Sequence, residues 1–174
     1  SKNFNSSEFD CHGNGCCETT LIDTDLIGVL QMIRANFGKA VIINSGFRCK
    51  THNKNVGGAS LSRHVSGMAA DIVVNGIEPL EVAKYCESIG ILGIGLYDWG
   101  CHIDTRNVKY FWYSDSQEYR YTFGGQDDQN NTINILLWQK AAIEDGFKFS
   151  VPIINGKWND ECAAVAKKAV LKHR

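Results

Sequence analysis

The stretch SRHVSGMAADIVV, residues 62–74, changes character at its middle. From Asp71 onward it is a short apolar run rich in β-branched residues, which predicts a buried strand. Just before it, VSGMA offers a glycine and small side chains, where a chain bends most easily. The bend decides what the flanking polar residues can do. Ligands of one tetrahedral zinc ion stand about 2 Å from the metal, so their donor atoms lie within roughly 3–4 Å of one another. In an unbroken helix His64 and Asp71 would be about 10.5 Å apart along the axis, and in an unbroken strand more than about 20 Å apart. Only a chain that doubles back between them brings both to a single ion.

Outward from this stretch, helices and strands interleave. DTDLIGVLQMIRANFG, residues 23–38, has apolar residues at 26, 29, 30, 33 and 37, with Asp23 or Thr24 as N-cap and Gly38 as stop, which predicts an amphipathic helix. AVIIN, residues 40–44, reads as a buried strand leading into SGFRC. In EPLEVAKYCESIG, residues 78–90, Pro79 suits a first helical position and Gly90 marks the end of a second helix. GIGLY and CHIDTR, at 93–97 and 101–106, are two further strands around a turn at DWG. The pattern predicts an α+β domain built on a small sheet.

Composition limits the partners. With 174 residues, 44% hydrophobic and 21% charged, the chain suits one folded domain with a small appendage. A net charge of −1 supplies no basic field for a phosphate backbone, which argues against nucleic acid. No apolar run approaches the roughly 18 residues of a membrane span, and SKNFNSSEFD lacks the apolar core of a secretory signal. Membrane insertion is therefore not expected, and a signal removed ahead of Ser1 stays open. Seven cysteines, an odd number at scattered positions, fit a reducing compartment better than a fully paired extracellular scaffold. CHGNGCC, residues 11–17, is reminiscent of a zinc knuckle, yet no second C-x-x-C or histidine pair follows at finger spacing. Its cysteines read as loop thiols, paired with each other, with Cys101, or not at all. His52, in THNKN, reads as a loop histidine bonded to backbone, the alternative being a place near the active site.

A third ligand to pair with His64 and Asp71 has to come from another segment, and CHIDTR supplies His102 with Asp104 two positions on. Side chains at i and i+2 of a strand face the same way about 7 Å apart, near enough for one to bind a metal and the other to act on its water.

INSGFRCKTHNKNVGGASLSRHVSGMAADIVV followed by GIGLYDWGCHIDTR closely resembles the zinc peptidases of the D-Ala-D-Ala carboxypeptidase type, which share a zinc fold with Hedgehog signalling domains. The resemblance runs over about residues 4–113, and its core is S-x-H-x(6)-D with a later H-x-D. It implies a small, mainly antiparallel sheet flanked by helices. It also implies His64, Asp71 and His102 as ligands of a catalytic zinc ion, with a fourth position open to water. In the family the general base often sits shortly before the last histidine. Here the third position upstream is Trp99 and the nearest upstream carboxylate is Asp98. Asp104, on the same face as His102, is the expected acid/base, with Asp98 second. Some relatives carry H-x-H here, which leaves open an exchange of roles between His102 and Asp104. Arg48 matches a family arginine that grips the substrate carboxylate, unless it caps a strand end at the surface. Ser62 is expected to donate to substrate or to orient its loop, unless it only forms the turn.

FGGQDDQNNT, residues 123–132, reads as a linker between a catalytic domain over 1–122 and a helical segment over 133–174. INILLWQKAAIEDGF and INGKWNDECAAVAKKAV resemble part of a peptidoglycan-binding helical repeat, cut short after Arg174. The layout resembles endolysins of phages that infect Gram-positive bacteria, clostridial ones in particular. The resemblance thus implies a zinc-dependent peptidoglycan peptidase that waits in the host cytoplasm until its release to the cell wall. The alternatives are a D,D-carboxypeptidase that trims a terminal D-Ala and a non-catalytic, zinc-containing wall-binding module.

Overall fold

The computed structural model describes residues 1–112 in full, together with the backbone of 113–114 and 120–124. The helical segment expected over 133–174 lies outside the described residues, as does the linker beyond Gly124.

Helix α1, Thr24–Phe37, starts where the Asp23 side chain accepts hydrogen bonds from the backbone N–H groups of Asp25 (2.7 Å) and Leu26 (3.4 Å). It stops at Gly38, whose φ of 61° a residue with a Cβ adopts only at a cost. Leu26, Leu30 and Ile33, spaced at i, i+4 and i+7, are its buried stripe. Strand β1 (Val41–Ser45) follows, then a short helix α2 (Lys50–Asn55), strand β2 (Ala69–Val74) and helix α3 (Pro79–Ser88). Strands β3 (Gly93–Tyr97), β4 (Cys101–Asp104), β5 (Tyr110–Ser114) and β6 (Arg120–Gly124) complete the order. Three of these were not legible in the sequence: α2, whose KTHNKN has no apolar periodicity, and β5 and β6.

Among the described residues the strands form one sheet in the order β1-β2-β4-β3-β5-β6. All neighbours pair antiparallel except β3 and β5, which are parallel. The domain is therefore α+β, with a mostly antiparallel sheet, as the sequence predicted.

The two-residue period of a strand explains how one sheet serves both packing and chemistry. Ala70, Ile72 and Val74 of β2, Ile94 and Leu96 of β3, Cys101 and Ile103 of β4 and Phe111 of β5 join one buried cluster with α1 and α3. Each fully buried aliphatic side chain of this kind contributes about 1.5–3 kcal/mol relative to exposure. The alternate positions, Asp71, Gly93, Gly95, His102, Asp104 and Trp112, belong to the opposite face. The apolar residues anchor the register, and the register lines up the polar ones.

Candidate metal centre

The bend expected between His64 and Asp71 is a 3-10 turn, Arg63–Ser66, closed by Gly67 at φ 73°. A Cβ on Gly67 would overlap the Leu21 carbonyl, so both backbone conformation and space require glycine here. Met68 N–H bonds back to the Arg63 carbonyl at 3.0 Å, and β2 departs one residue later. His64 is thereby folded back over the start of β2.

Asp71 and His102 are direct partners in the antiparallel β2–β4 register. Directly opposed side chains have Cβ atoms about 4.5–5.5 Å apart, close enough to share a ligand. His64 Nδ1 lies 2.6 Å from the Gly46 carbonyl oxygen, which can only accept, so that nitrogen carries the proton and Nε2 presents its lone pair. His102 is oriented the other way: its Nε2 lies 2.9 Å from Asp104 Oδ2, which directs Nδ1 inward. The three inward atoms form a triangle. His64 Nε2 to His102 Nδ1 is 3.1 Å, His102 Nδ1 to Asp71 Oδ1 is 2.9 Å, and His64 Nε2 to Asp71 Oδ1 is 3.3 Å. Donors about 2.05 Å from a tetrahedral ion stand roughly 3.3 Å apart. The donor set and its spacing fit one zinc-sized cation.

The electrostatics agree with a cation site. His64, Asp71, His102 and Asp104 are all buried, and buried charges persist only when paired or bound to metal. Burial opposes ionisation of Asp71, but the adjoining His102 and His64 outweigh it and hold the carboxyl well below the usual carboxylate range. Burial lowers the His64 pKa against the pull of Asp71. For His102, burial is outweighed by Asp104 and Asp71, which flank it and raise its pKa.

Asp104 itself is 1% exposed and its oxygens are engaged on every side. Oδ2 meets His102 Nε2 and Arg106 Nη2, while Oδ1 accepts from Arg106 Nε at 2.7 Å and from its backbone N–H at 3.1 Å. Burial pushes its pKa up, but His102 and Arg106 prevail and hold it well below the usual range. This geometry suits a carboxylate that orients the His102 imidazole. Arg48 donates to Asp71 Oδ2 and, through Nε at 2.8 Å, to Ser45 Oγ. It also lines a cleft of about 320 Å³ together with His12, Asn44, Ser45, His52 and Val56. Ser62 caps the 3-10 turn through its backbone, and its side chain makes no capping bond. Asp98 is exposed in the turn between β3 and β4.

Several contributors were missed in the sequence. Arg106 lay within CHIDTR without a role, and Trp112, whose ring centroid is 4.7 Å from that of His102, lay in a strand not predicted. A signal did exist in GIGLY. Gly93 and Gly95 alternate on β3, where a Cβ would overlap the Asp104 carboxylate at one and the Trp112 indole at the other. Glycine inside a strand marks such a close approach. The reading of His52 as bonded only to backbone is corrected, because its Nδ1 lies 3.2 Å from Cys11 Sγ. Nor does Cys101 pair with the loop thiols: it is buried in β4 and its Sγ donates to the Pro79 carbonyl at 3.0 Å.

Comparison with known proteins gives two findings. The family model for peptidase M15 matches residues 2–105. A zinc D-Ala-D-Ala carboxypeptidase of Streptomyces albus G is 54% identical over 44 residues, which cover 25% of this chain. The aligned stretch spans 17% of the length of that relative.

Proposed function

The chain belongs to the peptidase M15 family, and from that premise we propose that it is a zinc-dependent peptidase that hydrolyses a peptide bond in the stem peptide or cross-link of bacterial peptidoglycan. The observation that carries this reading is the triangle of His64 Nε2, Asp71 Oδ1 and His102 Nδ1, with sides of 2.9–3.3 Å.

His64, Asp71 and His102 hold the ion in this reading, and three protein ligands are the complement of a catalytic site. Zinc supplies Lewis acidity at the scissile carbonyl and brings the pKa of water toward about 7. The remaining work falls to the chain. The Gly46 carbonyl and Asp104 keep the two imidazoles in the tautomers that face inward, and Arg106 holds Asp104 in place. Arg48 keeps Asp71 ionised on one side and, on the other, turns the unused edge of its guanidinium to a carboxylate entering the cleft, a planar match for such a group. Asp98, exposed in the turn between β3 and β4, takes the acid/base role in this reading, and the Ser62 hydroxyl donates to substrate. Trp112 walls His102 on the β5 side and excludes water from it.

Residues 133–174 act as a wall-anchoring segment in this reading, on the strength of their sequence pattern, and the protein is an endolysin. Anchoring raises the local concentration of enzyme on an insoluble substrate. Trimming of a terminal D-Ala is the second reading, favoured by the name of the Streptomyces relative.

Purified protein incubated with Gram-positive cell walls is the test. Amino groups should be released, release should stop with chelator and return with zinc, and His64→Ala should not be rescued. Walls that release neither amino groups nor alanine in the presence of zinc reject the proposal. Mass spectrometry of the muropeptides separates the two readings, since trimming removes one alanine and leaves cross-links intact.

A further inference from the structure

A second cluster of metal-binding side chains lies outside the site just described and shares no residue with it. The sulfur atoms of Cys11, Cys16, Cys17 and Cys49 all lie within 4.8 Å of one another. Individual separations are 3.4 Å for Cys11–Cys16, 3.1 Å for Cys16–Cys49 and 3.9 Å for Cys16–Cys17. None is a disulfide; these cysteines are free thiols. Four sulfurs about 2.3 Å from a tetrahedral zinc ion would stand roughly 3.8 Å apart, a value within the observed spread. Four thiols from two segments of chain, half-buried together, form the closed donor set of a structural site, with no position left for water.

The surroundings fit thiolate ligands as well. The backbone N–H of Cys49 points at Cys11 Sγ (3.4 Å), and that of His52 at Cys49 Sγ (3.4 Å). The His52 ring adds a third contact, Nδ1 to Cys11 Sγ at 3.2 Å. Such outer bonds spread the charge of coordinated sulfur and orient it. The loop is shaped to deliver its sulfurs: Cys16 N–H closes a turn onto the Gly13 carbonyl at 2.9 Å, and a Cβ on Gly13 would overlap Cys16 Sγ and stand 3.0 Å from His52 Cβ.

Among the described residues the segment has no apolar attachment of its own. Residues 10–20 form no helix or strand, and none of their side chains is buried. The hydrophobic anchors of the N-terminal stretch, Phe4 and Phe9, both precede it. For a loop with no apolar anchor to hold its sulfurs together it needs some other restraint, because fixing each residue costs about 1–2 kcal/mol of backbone entropy. A metal cross-link supplies it.

We propose that Cys11, Cys16, Cys17 and Cys49 hold a structural zinc ion that clamps the 11–17 loop to the start of α2. On binding, the thiols release their protons to solvent and the four thiolates coordinate the divalent ion. The clamp has a consequence for the cleft. His12, inside the loop, and His52, on α2, line it together with Arg48, so the ion fixes the wall that faces the guanidinium.

The test is metal analysis of the full chain, purified under reducing conditions from zinc-supplemented culture. The variant H64A/H102A, in which the histidine site is removed, should retain one equivalent of zinc, and adding Cys49→Ser to it should remove that equivalent. Cobalt loaded into H64A/H102A should give the near-ultraviolet sulfur-to-metal charge-transfer absorption of thiolate ligands, and none after Cys49→Ser. Should the Cys49 variant fail to fold, the cobalt spectrum of H64A/H102A and the protection of its thiols from a thiol reagent, lost on chelation, decide the matter without it. A zinc-free H64A/H102A protein, cobalt bound without charge-transfer absorption, or peptide mapping that finds these cysteines in disulfides would each overturn the proposal.

Discussion

Asp104→Asn separates two roles that one carboxylate could play. In the structure Asp104 accepts from His102 Nε2 at 2.9 Å and from three nitrogens of Arg106. An amide of nearly the same shape can satisfy Arg106 with its oxygen only by turning its NH2 group toward His102. Nε2–H then meets a donor, or the ring changes tautomer and presents Nδ1–H to the ion. Leaving a buried donor unpaired costs about 1–3 kcal/mol, and an outer partner of a metal ligand is worth about 10–100-fold in affinity, the same range in free energy. Zinc affinity, measured by competition with a chelating dye, should therefore weaken about 10–100-fold, and saturating zinc should restore a large share of turnover. If Asp104 instead moved the proton, affinity would be unchanged and turnover would fall by roughly 10²–10⁴ at any zinc concentration. That second pattern would refute the orienting role. Asp98→Asn is the paired control, expected to leave zinc affinity unchanged and to lower turnover.

Three further outcomes follow from the packing and the charges. Gly93→Ala places a methyl group against the Asp104 carboxylate; it should cost about 1–3 kcal/mol, visible as a lower Tm together with weaker zinc binding, whereas a change in Tm alone would mean that the strands shift to absorb it. Leu30→Ala removes a fully buried side chain of α1, with an expected loss of about 2–5 kcal/mol in denaturant unfolding and no change in zinc affinity per folded molecule. Zinc retention should fall as pH is lowered, since protons compete for the ligand nitrogens. His102 is the ligand whose pKa is raised by Asp104 and Asp71 against burial, so it is the nitrogen for which protons compete first, and a competition titration that finds the same zinc affinity at about pH 8 and about pH 5 would contradict the assignment.

Much of this molecule is written in local pattern. The cap at Asp23, the stop at Gly38 and the buried stripe of α1 follow from residues within one helix, and β1, β2 and α3 likewise announce themselves by short-range periodicity. It was the resemblance to zinc peptidases that implied His64 and Asp71, with His102, as one ligand set; for His64 and Asp71 to share an ion their spacing demands a chain reversal, and the glycine at 67 is what a reversal needs. Those arguments use distances along the chain. What they cannot supply is a partner far away in sequence with no pattern of its own. Arg106 was adjacent to Asp104 in the sequence, yet only the strand end curls its guanidinium back onto that carboxylate. Cys49 meets Cys11 and Cys16 only because β1 and α2 carry it past the first loop. Register between β2 and β4 set Asp71 opposite His102, and that register is chosen by apolar side chains on the other face of the sheet. The sequence alone determined which groups were available and which elements would carry them. Tertiary structure decided which of them converge, because convergence is settled by the packing of the whole core and not by any one segment.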